Sequence, residues 1–416
     1  MQRRPNVVII TTHDSGCHFG CYGVPSVHSP NIDALAADGA RFTRMFATSS
    51  ICSPSRASLM SGQWPQRNGV VGLASDPYNW DFTDPRRHLS HVLRDAGYRT
   101  AMFGMHHDML DGNRMGFDQV DPGAPPSGTG SPKFAIRTAE TFRNFLEQGG
   151  AAGDQPFYAQ IGFFETHTPF GHGGVEPDAF KGVWIPPYVD EPAGKHMFKR
   201  HSGQPVDPFD PDSMRRFVAA LQGVVRCADE GVGIILQALK AHGLESDTLV
   251  LFNTDHGVEL PRAKWTMYDA GTRVAFIMRW PGGGICGGRV CDGLQSNIDF
   301  LPTLAELTGL PVRHALDGVS FADALRGTAT PVSRRDTVFS LFVNEELYAA
   351  RTDRHKLIRF FQEGNEFDAA VHGILRRTVQ LFDLANDPLE LHDLAADPAH
   401  AAVLALLVVA RRSQWR

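Results

Sequence analysis

No stretch of this 416-residue sequence approaches the roughly 20 apolar residues of a membrane span, so no membrane partner is expected. Cysteine is scarce. The six, at positions 17, 21, 52, 227, 286 and 291, are too few and too scattered for a disulfide scaffold, and no two form a C-x-x-C pair. Most are expected to be buried or inert thiols. Basic charge is missing as well: 40 Lys and Arg against 46 Asp and Glu leave a formal charge of −6, with no basic run. That excludes the field needed to hold a phosphate backbone, so nucleic acid is not an expected partner. The start Met1-Gln2-Arg3-Arg4-Pro5 has the charge of a signal peptide, but the apolar run Val7–Ile10 is too short for the core of one. With Met1 as the true start, a cytoplasmic protein is expected. The oligomeric state is not legible.

What is present is ordinary globular material, 42% hydrophobic and 21% charged. The length exceeds what one core usually fills, which predicts a large domain over 1–332 and a small one over 333–416. Apolar runs at Asn6–Thr12, Tyr98–Gly104, Phe157–Phe164 and Thr248–Thr254 read as strands covered on both faces. Between them, Asn31–Ala40, Pro85–Ala96, Ile136–Gln148, Ser213–Ala241 and Ile298–Leu307 behind a Ser296 cap carry apolar residues at helical spacing. The alternation predicts an α/β fold with a large, mostly parallel sheet. Short strands at Leu347–Thr352, His355–Phe361 and Thr378–Asp383 and a helix near His400–Arg411 predict a small antiparallel C-terminal domain. Two Gly/Pro-rich stretches, 118–132 and 171–212, read as binding loops or lids.

Four of the strand candidates run directly into chemistry-bearing residues: His13-Asp14, His106-His107-Asp108, Glu165 with His167, and Asp255-His256. Open α/β sheets bind ligands outside the carboxyl ends of their strands, so these residues are expected to converge. A single histidine at a loop start is ordinarily just solvated; four coincidences point to one polar site.

Between the first two of these strands lies Ile51-Cys52-Ser53-Pro54-Ser55-Arg56-Ala57-Ser58-Leu59-Met60-Ser61-Gly62. Pro54 suits a first helical turn and Gly62 a helix stop, which puts Cys52 at a helix N-terminus. Unpaired N–H groups there favour a sulfate or phosphate oxygen. Arg56, four residues on, can reach the same anion. The alternative is a structural thiol beside a surface arginine.

The C-x-P-x-R then A-S-L-x-x-G pattern resembles the signature of the sulfatase family, within the alkaline phosphatase superfamily. The resemblance extends to Asn6–Ile10 leading into His13-Asp14, Gly20-Cys21-Tyr22-Gly23, Ser29–Ala36, Asn253–Gly257, Lys264–Arg273 and Leu381–Pro388, so it covers essentially the whole chain. Cys52-Ser53-Pro54-Ser55-Arg56 is most similar to the sulfoglucosamine sulfohydrolase branch.

This resemblance implies a sulfatase whose Cys52 is oxidised to formylglycine by a formylglycine-generating enzyme, acting on a small-molecule or sugar sulfate. It also implies one divalent metal ion held by His13, Asp14, Cys52, Asp255 and His256. Calcium is the family's ion; the two imidazoles lean toward manganese or zinc, and magnesium stays open. The hydrated aldehyde would attack sulfur through one hydroxyl and expel sulfate through the other. By position, His107 matches the base that assists this release and His167 the donor to the leaving group, with Lys264 and Arg56 neutralising the transferred charge. Two departures stand out. His13 replaces the usual aspartate, and Met105 the usual lysine, unless His106 takes that part. A phosphodiesterase or phosphonate monoester hydrolase shares this apparatus and is the alternative. A catalytically silent binding homologue is the third reading; retention of Cys52, Pro54, Arg56, His107, His167 and Lys264 argues against it.

Overall fold

The computed structural model describes residues 4–121, 133–170, 175–201, 206–327, 335–342, 347–360 and 379–414. Its strands, in chain order, are β1 (Asn6–Thr12), β2 (Ala40–Phe42), β3 (Met45–Phe46), β4 (Arg99–Gly104), β5 (Gln119–Asp121), β6 (Phe157–Gly162) and β7 (Thr248–Thr254). They continue with β8 (Phe276–Arg279), β9 (Arg289–Cys291), β10 (Gln295–Ser296), β11 (Val338–Phe342), β12 (Leu347–Arg351), β13 (His355–Phe360) and β14 (Val379–Asp383). Eight form one sheet in the order β5-β4-β6-β1-β7-β8-β2-β9. Pairing is parallel except around β8, which runs antiparallel to both β7 and β2. The fold is the α/β architecture that the alternating pattern predicts.

β1 and β7 are buried along their whole length, because helices cover both faces. The helices Phe134–Glu147 and Pro211–Ala241 lie in one apolar cluster with Val8, Ile10 and Phe252, while Val7, Ile9 and Leu251 face a second cluster with Leu59 and Phe300. Alternate side chains of one strand thus feed two cores. β11 to β14 form an antiparallel four-stranded sheet, followed by the helix Ala401–Gln414. Phe342, Leu347, Ile358 and Phe382 of that sheet pack on Ile51 and Met267, so it braces the residue preceding Cys52.

Several boundaries differ from the sequence reading. The helix read from Ser213 begins at Pro211 under an Asp210 cap, which accepts from Asp212 and Ser213 N–H groups. Pro85–Ala96 is a short 3-10 turn and then a helix over Leu89–Asp95. Ser296 and Asp299 do form a capping box, which opens with a 3-10 turn. Within the stretch read as loop, Pro192–His201 is helical. Residues 122–132, 171–174 and 202–205 of the two proposed binding loops lie outside the described residues. Among the described residues no helix is long and apolar enough to cross a membrane.

Candidate active site

The site forms where β1, β4, β6 and β7 end side by side. Close approach is enforced by glycine: a Cβ on Gly162 would lie 1.6 Å from the Met105 carbonyl, and one on Gly104, at φ +78°, 2.2 Å from the Gly162 carbonyl. These two positions press the Met105-His106-His107 turn against the end of β6. His107 itself takes a left-handed backbone, φ 59°, as does Asp14 at φ 39°. Such conformations in non-glycine residues recur where side chains must be aimed.

The Cys52 segment is a helix over Cys52–Ser61, buried at every residue and closed by Gly62 in the left-handed region. Cys52 is therefore the first helical residue, as its sequence context predicts. Its sulfur lies 3.4 Å from His256 Nε2 and 3.9 Å from Asp14 Oδ1. Burial and Asp14 oppose ionisation of the thiol, but His256 and His107 beside it hold it well below the usual thiol range.

His13, Asp14, Cys52 and Asp255 each present one donor atom within 4.8 Å of the others, all buried. Asp14 N–H donates to Asp255 Oδ1 at 3.0 Å, which locks the two strand ends together. His256 Nε2 meets Asp14 Oδ1 at 3.0 Å, and its Nδ1 pairs with the Gly257 carbonyl at 2.9 Å, so the ring is oriented from behind. His13 Nδ1 stands 3.2 Å from Asp255 Oδ2, an ion pair. Burial and Arg56 disfavour its charged form, but Asp255 and Asp14 outweigh them and push His13 up to about 10. Two buried carboxylates thus draw positive charge to this point. Carboxylate oxygens, imidazole nitrogens and sulfur converging in a buried pocket fit a divalent cation.

Lys264 reaches Asp14 Oδ2 at 2.5 Å and Glu259 Oε2 at 3.2 Å. Although burial opposes its charge, these carboxylates keep it cationic. Arg56 donates from Nε to Asp255 Oδ2 at 3.0 Å and from Nη1 to the His106 carbonyl at 3.1 Å, leaving Nη2 buried without a hydrogen-bond partner. His167 stacks edge-on to His13 with ring centroids 5.3 Å apart, pairs through Nδ1 with the Thr168 carbonyl and keeps 29% of its side chain exposed. Burial holds it neutral, down to about 4.

Every residue expected at the site is thus brought together there, except three from the strand-end reading. Glu165 turns away: its carboxylate accepts the Ala135 N–H at 2.7 Å and caps the helix Phe134–Glu147. Asp108 is buried under His88, His106 and Gln160, at 3.1, 3.4 and 3.1 Å. His106 faces Asp108 through Nδ1 and Gly112 through Nε2, so it does not stand in for a missing lysine. Met105 meets His13, with Sδ 2.9 Å from Nε2. Glu259 was missed. It holds both Lys264 and the Thr168 hydroxyl, the latter at 3.0 Å to each oxygen. Its position three residues after His256 and five before Lys264 was the available signal.

An α/β sheet whose strand ends gather a thiol at a helix N-terminus, two buried cations and a carboxylate–imidazole cage defines a hydrolase of anionic esters. The profile of the sulfatase family matches residues 5–310, and the chain belongs to that family, whose members hydrolyse sulfuric esters. Residues 262–411 match the profile of the N-sulphoglucosamine sulphohydrolase C-terminal region. Human (Homo sapiens) N-sulphoglucosamine sulphohydrolase is 26% identical over 459 residues, spanning 97% of this chain and 88% of its own. A solved 2-O GAG sulfatase superimposes with a TM-score of 0.79 at 23% identity, over 99% of this chain and 91% of that one. The phosphonate monoester hydrolase of Agrobacterium radiobacter gives 0.74 at 23%, over 99% and 96%. The last two share the fold.

Proposed function

We propose that this chain is a metal-dependent sulfatase that cleaves a sulfate ester or sulfamate, on a sugar or small molecule, with a nucleophile made by oxidising Cys52 to formylglycine. The observation that carries this reading is Cys52 itself, buried at a helix N-terminus and contacted by His256 and Asp14. A formylglycine there supplies, once hydrated, two hydroxyls on one carbon, and a bound cation supplies Lewis-acid charge. His13, Asp14, Asp255 and His256 would hold that cation with residue 52.

The chain's own groups do the rest. Lys264 and Arg56 Nη2 bring positive charge to the sulfate oxygens as the S–O or S–N bond breaks. His107, beside residue 52, accepts the proton lost when sulfate is released. His167 must carry a proton to give it to the leaving atom, and burial opposes this. An arriving sulfate anion beside the ring favours the imidazolium, so substrate binding and proton loading go together. Glu259 and Asp14 fix Lys264 from two sides. We assign residues 1–332 to the catalytic unit and 333–416 to a small unit that supports it, and we keep a cytoplasmic location.

The test is the mass of the tryptic peptide containing residue 52 after co-expression with a formylglycine-generating enzyme, followed by turnover of an aryl sulfate. An unmodified thiol together with no turnover defeats the reading. Faster turnover of an aryl phosphodiester or phosphonate ester supports the second reading, which the fold shared with a phosphonate monoester hydrolase raises.

A further inference from the structure

Two donor sets meet at His13 and Cys52. On one side stand the oxygens of Asp14 and Asp255. On the other, His13, Cys52 and His107 bring an imidazole nitrogen, a sulfur and a second imidazole nitrogen within 4.8 Å of one another. The His13 and His107 rings lie 6.0 Å apart; His107 keeps its Nδ1 buried with no hydrogen-bond partner, and His13 Nδ1 stands 3.2 Å from Asp255 Oδ2. His13 is wholly inaccessible to solvent. The thioether of Met105 touches His13 Nε2 at 2.9 Å and places no repelling charge beside this pair.

Nitrogen and sulfur donors of this kind select zinc and similar cations, whereas calcium is held by six to eight oxygens. We propose that the cysteine form of the protein carries a thiophilic cation site, His13–Cys52–His107, which takes zinc in preference to calcium, and that conversion of Cys52 to formylglycine by the converting enzyme, with dioxygen as oxidant, a thiol as co-reductant and the sulfur leaving as sulfide, dismantles it. Binding forms a metal–sulfur bond to the Cys52 thiolate and metal–nitrogen bonds to the two imidazoles, as the proton held on His13 is released to solvent, with no change of oxidation state. His13 and Cys52 belong to both sets, so one cation occupies one set or the other. Once the sulfur is gone, the two carboxylates dominate and a harder ion is favoured. The state of residue 52 thereby sets which metal the centre holds. This inference rests on the function proposed above only in treating Cys52 as the precursor residue.

The test uses the full chain made without a converting enzyme, its thiol confirmed by peptide mass, stripped with chelator and titrated with cobalt(II), zinc and calcium. One equivalent of cobalt should bring up thiolate-to-metal absorption, which zinc removes and calcium does not. X-ray absorption of the zinc form should show one sulfur at about 2.3 Å and nitrogens at about 2.0–2.1 Å. Cys52→Ser should abolish the cobalt absorption, and His107→Asn should weaken cobalt binding about tenfold or more. The converted protein is the control that needs no substitution: it should show no sulfur ligand. Absence of a sulfur signature in the folded cysteine form, or its persistence in Cys52→Ser or in converted protein, overturns the proposal. Turnover and peptide mass judge the sulfatase reading separately, so either idea can fail alone.

Discussion

Asp14 and Asp269 are both secluded aspartates facing a lysine, Lys264 at 2.5 Å and Lys356 at 2.7 Å. Their surroundings differ. Asp269 sits where the small sheet meets the large one, and there the charges close on one another: Arg351 also reaches Asp269 at 3.2 Å, and Lys356 also meets Glu390 at 3.0 Å. Lys356 and Arg351 hold Asp269 well below the usual carboxylate range despite burial. Around Asp14, by contrast, Arg56 Nη2 and His107 Nδ1 are buried with neither a hydrogen-bond partner nor an ion pair. Buried charge is tolerable when paired, and buried polar atoms left unpaired cost stability. A closed cluster is therefore a joint. An open one is a place kept for something that arrives later.

Substitutions should separate the two. The largest effect is expected from Cys52→Ala, which removes the proposed nucleophile: turnover should fall by roughly ten-thousandfold or more while the unfolding midpoint stays near that of the parent. Activity within tenfold of the parent would remove Cys52 from the chemistry. Next comes Lys356→Met at the joint, which leaves Asp269 and Glu390 without their shared cation and should cost about 3–5 kcal/mol in denaturant unfolding. Turnover per folded molecule should hardly change. If Lys356→Met instead abolishes turnover without loss of stability, the joint is part of the catalytic centre and the contrast collapses. Third, Lys264→Ala should slow turnover by about 10²–10³-fold. Its stability change should be smaller than that of Lys356→Met, because Asp14 keeps His256 at 3.0 Å and Glu259 keeps the Thr168 hydroxyl at 3.0 Å.

How legible this was varies with how local the cause is. β1 and β7 ended where the sequence pattern ended them, since full burial on two faces leaves a continuous apolar run. The Cys52 helix was legible from Pro54 and Gly62 because caps are written in adjacent residues. β2, β8 and β9 carry too few residues for a period to show, and β8 joins against the parallel direction. Strand ends located the site but not which side chain enters it. Glu165 is captured by the N-terminus of a helix that starts 31 residues earlier, a contact no spacing reveals. Glu259 enters because the chain folds back, with Lys264 N–H on the Val258 carbonyl at 3.0 Å and a left-handed Arg262 between.

The smallest expected effect tests where the boundary between the two clusters runs. His18 follows the β1 end yet lines a cavity of about 190 Å³ with Arg262, Asp269 and Glu390. Its side chain is buried and its Nε2 has no hydrogen-bond partner, and burial lowers it to about 4 from an ordinary 6.5. Between those values the unfolded chain binds the proton that the folded chain refuses. Stability from this group is thus complete above pH 6.5 and is lost as pH falls toward 4. Acidifying from pH 6.5 to 5 should cost about 1.5 kcal/mol through His18. His18→Gln carries no proton to refuse, so urea unfolding of parent and variant across this range should show their difference shifting by that amount in favour of the variant. Carboxylates that titrate in both proteins cancel in the comparison. A pH-independent difference would mean that His18 meets solvent or a partner when protonated, which would place the loop after β1 with the open centre and not with the closed joint.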